Sequence, residues 1–170
     1  MNNKTFKQYI KKLQSDNSSD IENTIEKIRI NGNCHIIPEI INVIKFSTNE
    51  EVRNKSIRLL NDIKDKNAVP YIIDAIKDKE NKQVIDIITS SCWQNGLDFS
   101  NYYSVFIDLI VNENYNTSLE AFTVIEEIIK NVNYEERNKS ILKLKKKLKK
   151  IDADKQKLIN ELILLLEKEK

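Results

Sequence analysis

The sequence has few residues that turn the chain sharply. Glycine and proline each occur only twice among 170 residues, whereas an all-β domain needs many tight turns that use them. Long apolar runs are missing too. The longest one near the end is LILLL, far shorter than the ~20 residues of a membrane-spanning helix. These shortages predict an all-α fold without a membrane span.

Cysteine is equally scarce. Cys34 and Cys92 lie 58 residues apart, so they form neither a C-x-x-C pair nor the disulfide framework of a small secreted domain. The first residues, MNNKTFKQYIKKL, are interrupted by charges and lack the apolar segment of a secretory signal. We therefore expect two buried thiols and a cytoplasmic protein.

What the chain has in abundance is helical periodicity. Apolar residues recur at spacings of three and four, the period of an amphipathic helix. The pattern predicts ten helices in five antiparallel pairs, with approximate boundaries at residues 3–32, 34–66, 67–97, 98–132 and 133–168. The residues predicted to cap helix starts are Ser19, Thr48, Ser100, Asn116, Asn133 and Asp152. Gly32 is predicted to end the second helix in the left-handed conformation.

The two prolines mark an internal repeat. The segments HIIPEIINVIKFSTNEEV (residues 35–52) and AVPYIIDAIKDKENKQV (residues 68–84) match at a shift of 32 positions, which aligns Pro38 with Pro70. A proline in the first turn of a helix breaks no intrahelical hydrogen bond, and its fixed φ suits helix entry. Each proline is therefore predicted to open the first helix of its pair.

Helix pairs of this length, with a proline opening the first helix and NEEVR opening the second, resemble HEAT repeats. The resemblance is best over residues 34–94 and implies a right-handed α-solenoid whose second helices line a concave face. It implies a fold and no activity. Phe46 and Ile85 replace the aspartate and arginine that often form a charge ladder in this family, so no regular ladder is expected. The length fits one domain over residues 1–170.

Catalytic signatures are absent. The chain has no glycine-rich phosphate loop, nucleophile elbow or H-E-x-x-H motif. His35 has no companion at metal-ligand spacing and is predicted to lie at the surface or cap a helix, and Cys92 is predicted to be a core thiol. Asp74 and Asp108 recur at matched positions, as a glycosylase of HEAT-like build would require, but solvated helix surface is the simpler interpretation. We expect no enzyme, metal or cofactor.

Aromatic residues bunch near the middle of the chain. Trp93, Phe99, Tyr102 and Tyr103 fall within eleven residues. Tryptophan and tyrosine often anchor binding hot spots, although packing between two repeats explains the same cluster. Trp93 and Tyr102 are the candidate binding residues. Tyr102 is expected to be the most exposed because it lies off the apolar stripe of its helix.

The strongest electrostatic feature is a basic carboxyl-terminal segment. Residues 137–170 carry 12 Lys and Arg against 5 Asp and Glu, whereas residues 1–136 carry 16 against 21. Such a surface suits phosphates, anionic lipid or an acidic partner, or is a solvated lysine face. The candidate binding residues are Lys143, Lys146, Lys147 and Lys150.

Two arrangements of this segment fit the sequence. Two helices separated by Asp152 continue the preceding pairs, whereas a heptad interrupted only by Lys155 allows one long helix. The second arrangement makes self-association through residues 134–170 the alternative to a monomer.

The sequence thus predicts a non-catalytic interaction or scaffold module with a protein partner. The alternatives are a nucleic-acid or acidic-partner binder that uses the lysine-rich repeat, and an enzyme of HEAT-like build. Lysine without arginine or interleaved aromatics lowers the case for nucleic acid.

Overall fold

A computed structural model describes residues 3–148 and 153–168 of the chain. Within these segments the regular structure is entirely helical, which confirms the predicted all-α class. The α-helices are α1 (Asn3–Leu13), α2 (Ser18–Asn31), α3 (Ile37–Phe46), α4 (Glu50–Asn61), α5 (Val69–Lys77), α6 (Ile85–Gln94), α7 (Tyr103–Asn112), α8 (Tyr115–Ile128), α9 (Tyr134–Lys147) and α10 (Ala153–Lys168). Short 3-10 turns span Cys34–Ile36, Lys66–Ala68, Lys79–Val84, Ser100–Tyr102 and Ile129–Asn131.

The carboxyl-terminal segment forms two helices. Helices α9 and α10 pack against each other, and the Lys145 ammonium donates a hydrogen bond of 2.8 Å to the Glu167 carboxylate. In one straight helix the Cα atoms of these residues would be ~33 Å apart, so the long-helix alternative is wrong. The predicted cap Asp152 and the candidate residue Lys150 lie outside the described residues.

The chain divides into two compact units, Met1–Leu97 and Asp98–Lys170. In the first unit α1 packs on α2, α3 on α4 and α5 on α6, while α1, α3 and α5 contact one another in succession, as do α2, α4 and α6. In the second unit α7 packs on α8 and α9 on α10, and further contacts join α7 to α9 and α8 to α10. Each unit is therefore a stack of helix pairs in two layers. The single domain over residues 1–170 stays a prediction.

Polar contacts within each unit follow the repeat length. The Asn49 amide donates to the Ser18 hydroxyl 31 residues earlier at 2.9 Å, and the Lys55 ammonium to the Glu22 carboxylate 33 residues earlier at 2.6 Å. Equivalent pairs, 33 to 35 residues apart, are Arg29–Asp62, Asn61–Gln94, Lys45–Glu80, Asp98–Asn131 and Asp108–Lys143. Residues at matching positions of successive helix pairs therefore lie side by side.

The prolines occupy the positions predicted for them. Pro38 and Pro70 stand in the first turns of α3 and α5. Each of these helices follows a 3-10 turn whose own cap is a polar side chain, Asn33 or Asp65, that accepts from a backbone amide two residues on. A polar cap, a tight turn and a proline thus begin the first helix in both repeats.

Several predicted caps were wrong by one or two residues. The structure caps α2, α4 and α8 with Asn17, Asn49 and Asn114 instead of Ser19, Thr48 and Asn116. No side chain caps α7, because the chain enters it from the 3-10 turn that begins at Ser100. The short asparagine side chain reaches the free amides of the first turn from an extended backbone, which gives it the cap position. Asn133 caps α9 as predicted.

The two glycines serve different purposes. Gly32 has a φ of −70°, so the predicted left-handed conformation is wrong. Its constraint is space, because a Cβ there would lie 2.5 Å from the Ile28 carbonyl oxygen. Gly96 adopts the left-handed conformation with a φ of 67°, two residues after α6 ends at Gln94.

Lys155, the residue that interrupts the predicted heptad, is buried. Only 6% of it is exposed, and its ammonium donates to the Val111 carbonyl at 3.2 Å and to the Glu113 carbonyl. These carbonyls belong to the carboxyl end of α7, where backbone acceptors lack intrahelical donors. A lysine from α10 thus donates hydrogen bonds to backbone carbonyls at the carboxyl end of α7.

We expect Lys155→Ala to lower the free energy of unfolding by about 1.5–3 kcal/mol, because the substitution leaves buried carbonyls without their charged donor. Urea denaturation of the intact chain measures this change. The exposed Lys157 on the same helix is the matched control, and Lys157→Ala should change stability by less than about 0.5 kcal/mol. Equal denaturation midpoints for the two variants would contradict the capping role.

Candidate interaction surface

Helix α9 carries three of the predicted binding residues. It begins at Tyr134 after the Asn133 cap, whose side chain accepts from the Glu136 amide at 2.9 Å. Its first turn contains Glu135 and Glu136, and its last turn contains Lys145, Lys146 and Lys147. Acidic residues at the amino end and basic residues at the carboxyl end favour helix formation through the helix dipole. Part of the lysine bias therefore has a structural cause.

One side of α9 is buried and the opposite side is open. The residues that face the core are Arg137, Ser140, Ile141 and Leu144. On the opposite side of the helix, Lys139, Leu142 and Lys146 are exposed. Their spacing of three and four residues places them on one face. Leu142 is 62% exposed and Tyr134 is 66% exposed, both high values for apolar side chains.

The lysines of α9 differ in their partners. Lys143 forms a salt bridge with Asp108 on α7, and Lys145 forms one with Glu167 on α10. Lys139, Lys146 and Lys147 are exposed and have no salt bridge among residues 3–148 and 153–168. Even an exposed ion pair contributes only about 0–1 kcal/mol to stability. These three lysines form no such pair within the described residues, so they contribute little to the fold and their charge is available to other molecules.

We call Tyr134, Lys139, Leu142, Lys146 and Lys147 the α9 surface. It combines two exposed apolar side chains with three ammonium groups that form no salt bridge within the described residues. The sequence pattern predicted Lys146 and Lys147 as binding residues but not Tyr134, Lys139 or Leu142. Leu142 lies one residue after Ile141 and two before Leu144, and only the helix phase distinguishes it from these core residues.

The aromatic cluster does not form one exposed patch. Phe99 and Tyr103 are buried in the second unit, where burial raises the pKa of Tyr103 to about 12. Trp93, on α6 of the first unit, is 38% exposed, whereas Tyr102 is half-buried. The prediction that Tyr102 is the most exposed member is wrong, because its 3-10 turn lies against the start of α7.

His35 is exposed at the surface, as predicted, but it has a partner that the sequence analysis missed. Its Nδ1 atom contacts the Tyr71 hydroxyl, and the two rings meet edge to face with centroids 5.2 Å apart. Burial, with a smaller contribution from Cys34, raises the pKa of Tyr71. His35 and Tyr71 are 36 residues apart, which is close to the length of one repeat. This spacing is the sequence signal that could have predicted their contact.

The candidate catalytic groups are placed as surface residues. Asp74 is exposed on α5, and Asp108 is exposed on α7 and bound by Lys143. Among residues 3–148 and 153–168 there is no group of three His, Cys, Asp or Glu side chains that is arranged to hold a metal ion. In the same part of the chain no helix combines the length and the apolar character needed to cross a membrane.

One cavity of the first unit has a volume of about 330 Å³. Its walls are mainly aliphatic and come from α2, α3, α4 and the turns beside them. The aliphatic lining residues are Ile28, Ile36, Ile37, Ile40, Leu59, Ile63 and Ala68. No sequence pattern predicted this cavity, because its walls come from separate segments.

No protein-family model matches the sequence, and a search among curated proteins finds no match either. The resemblance to HEAT repeats therefore rests on the residues of this chain alone.

The two thiols differ in burial. Cys92 is buried on α6, and its Sγ lies 3.5 Å from the Ile88 carbonyl oxygen. Burial raises the pKa of the Cys92 thiol, which keeps it protonated and unreactive. Cys34 is only half-buried, so the prediction of two buried thiols is right for Cys92 and wrong for Cys34.

We expect a thiol reagent to label Cys34 in the folded chain and Cys92 only after unfolding, since the reagent needs an accessible thiolate. Labelling rates of Cys34→Ser and Cys92→Ser, with and without urea, separate the two sites. If native Cys34→Ser reacted as fast as the same variant in urea, the buried placement of Cys92 would be wrong.

Proposed function

We propose that this chain is a non-catalytic, HEAT-like α-solenoid with a right-handed twist that binds another protein in the cytoplasm. The observation that supports this most is the repeat register inside each unit. Polar side chains 31 to 35 residues apart bond to each other, and alternate helices pack together. Contacts between each repeat and the next are what define a solenoid.

A binding role follows from how repeat stacks bury surface. Each helix pair uses its apolar faces on its neighbours, so the outer faces of the helices remain open to other molecules. Other repeat stacks bind their partners through such faces. The support for a binding role therefore comes from the shape of the fold and not from a recognised site. The α9 surface adds a specific location, since Leu142 is exposed between Lys139 and Lys146.

Nucleic acid is the second candidate partner, and it is favoured by the exposed lysines of α9 that form no salt bridge with the described residues. Ammonium groups attract phosphates without any requirement for sequence. Two features count against it. The described part of α9 has a single arginine, Arg137, which is buried, and Glu135 and Glu136 occupy the first turn. An enzyme of HEAT-like build gains no support, because Asp108 is engaged by Lys143.

The direct experiment is affinity capture with the intact chain as bait in the cell that makes it. We expect a protein that is retained after nuclease treatment and released by competition with free chain. Retention of nucleic acid alone would contradict the proposed function, as would capture of nothing above a bait with scrambled sequence.

We expect the chain to give no saturable gel shift with oligonucleotides at physiological salt. The gel shift is run at low and at physiological salt, because each phosphate contact makes binding fall with rising salt, with a slope of about −0.9 per contact on duplex DNA. A saturable complex whose affinity falls steeply between the two conditions would favour the nucleic-acid alternative.

A further inference from the structure

The exposed apolar residues of α9 lie on the side of the helix that faces away from α7. Tyr134 and Leu142 are eight residues apart, which is ~12 Å along the helix axis, and both are more than half exposed. Lys143, which is bonded to Asp108, marks the side that faces α7. Tyr134 precedes Lys143 by nine residues and so points ~180° away from it.

This side is where a further helix of the same layer would pack. Within each unit, the first helices of successive pairs lie beside each other, as α3 lies beside α5 and α7 beside α9. Helix α9 has α7 on one flank, while Tyr134 and Leu142 stay exposed away from it. A helix brought by another molecule can take this place with ordinary helix packing, at an axial separation of ~8–10 Å.

Charge is unevenly distributed along the same surface. Glu135 lies at the amino end beside Tyr134, whereas Lys146 lies at the carboxyl end and Lys139 lies one turn before Leu142. Leu142 therefore lies between positive charges, and the amino end of the same face carries a negative one. An acidic residue of a partner is attracted to the first site and repelled from the second.

We propose that the α9 surface binds an amphipathic helical segment of a protein partner that carries two apolar side chains about two turns apart and acidic residues clustered at the end that covers Leu142. The proposal rests on the proposed function and names the class of partner. The apolar pair contacts Tyr134 and Leu142, which removes them from water. The acidic residues face Lys139 and Lys146, which sets the orientation of the bound helix.

The charge pattern distinguishes this partner from extended polyanions. Duplex DNA or an anionic lipid surface presents negative charge along the full length of α9 and meets Glu135 and Glu136 as well as the lysines. A short helix with its acidic residues at one end avoids that repulsion. The exposed leucine and tyrosine also have no apolar counterpart on a phosphate backbone.

The probe is a displayed library of random peptides selected against the intact chain. We expect the selected peptides to be enriched in Asp and Glu at one end and in two apolar residues spaced seven or eight positions apart. Failure to select any peptide, or selection of peptides without that charge and spacing, overturns the proposal.

Variants then locate the site, with binding of a fluorescent selected peptide measured by anisotropy. We expect Leu142→Ala to weaken binding roughly tenfold, because it removes an apolar contact at the centre of the surface. Leu164 on α10 is the matched control, since it is 55% exposed and lies off α9. Leu164→Ala should leave affinity within about twofold, since surface positions off the contact cost little.

Charge is tested in the same way. Reversal at Lys139→Glu together with Lys146→Glu should weaken binding about tenfold or more and reduce its dependence on salt. The control reverses two exposed lysines of the first unit, Lys27→Glu with Lys79→Glu, which gives the same net charge. Circular dichroism and thermal unfolding of every variant confirm that the fold is kept. Equal losses in the two double variants overturn the proposal, because they indicate a response to net charge alone.

The outcomes separate this proposal from the proposed function. If the chain captures a protein partner that the α9 variants still bind, the α9 surface is not the docking site and the proposed function stands. If oligonucleotides or vesicles with anionic lipid compete with the selected peptide and show the same sensitivity to Leu142→Ala, the surface is a general polyanion site and the assignment to a protein helix fails. If nothing but nucleic acid is captured, both fail.

Discussion

The structure depends on the inability of one helix pair to bury its own apolar residues. In α3, for example, Ile37, Ile40, Ile41, Val43 and Ile44 are all buried, and they cover more of the helix circumference than one neighbouring helix can shield. Helix α3 therefore contacts α1 and α5 as well as its own partner α4. Removal of apolar surface from water is the main favourable contribution, and it operates only when successive pairs stack. Each pair is stable because its neighbours are present.

Polar contacts fix the register of that stacking. Apolar contact between isoleucine-rich faces is not directional, so it leaves neighbouring pairs free to slide. The hydrogen bonds of Lys55 with Glu22 and of Asn61 with Gln94 join matching positions of successive pairs and hold one alignment. Asn81 adds a buried contact, because its amide donates to the Ala75 carbonyl at 3.0 Å while its oxygen accepts from Lys45. This set of contacts takes the place of the charge ladder between Asp and Arg residues. Arg53 donates to the Ile44 carbonyl instead of to a carboxylate.

The candidate binding features follow from the same division of labour. Side chains that face neighbouring helices are apolar or are engaged in register contacts, and the remaining side chains are available to other molecules. On α9 the distinction can be followed residue by residue. Lys143 and Lys145 bond to the neighbouring helices, whereas Lys146, Lys147 and Lys139 form no salt bridge within the part of the chain that the structure describes. The basic helix thus divides into two lysines that hold neighbouring helices and three whose charge is not used in this way.

The sequence by itself determined the helical class, the locations of the first eight helices and the phase of the repeat. Local chemistry is enough for these features, because amphipathic spacing, proline at a first turn and an asparagine such as Asn133 at a cap act within a few residues. Tertiary structure alone decided which long-range pairs form. Asp108 and Lys143 were candidates for unrelated roles and turned out to be bonded to each other, and Lys155 was a break in a heptad before it proved to satisfy the carbonyls at the end of α7. Leu142 was indistinguishable from the core residues around it until the side of α9 that faces its neighbours was known. The physical reason is that a contact across a repeat depends on the rotation of two helices about their own axes, and that rotation is set by packing between segments more than thirty residues apart.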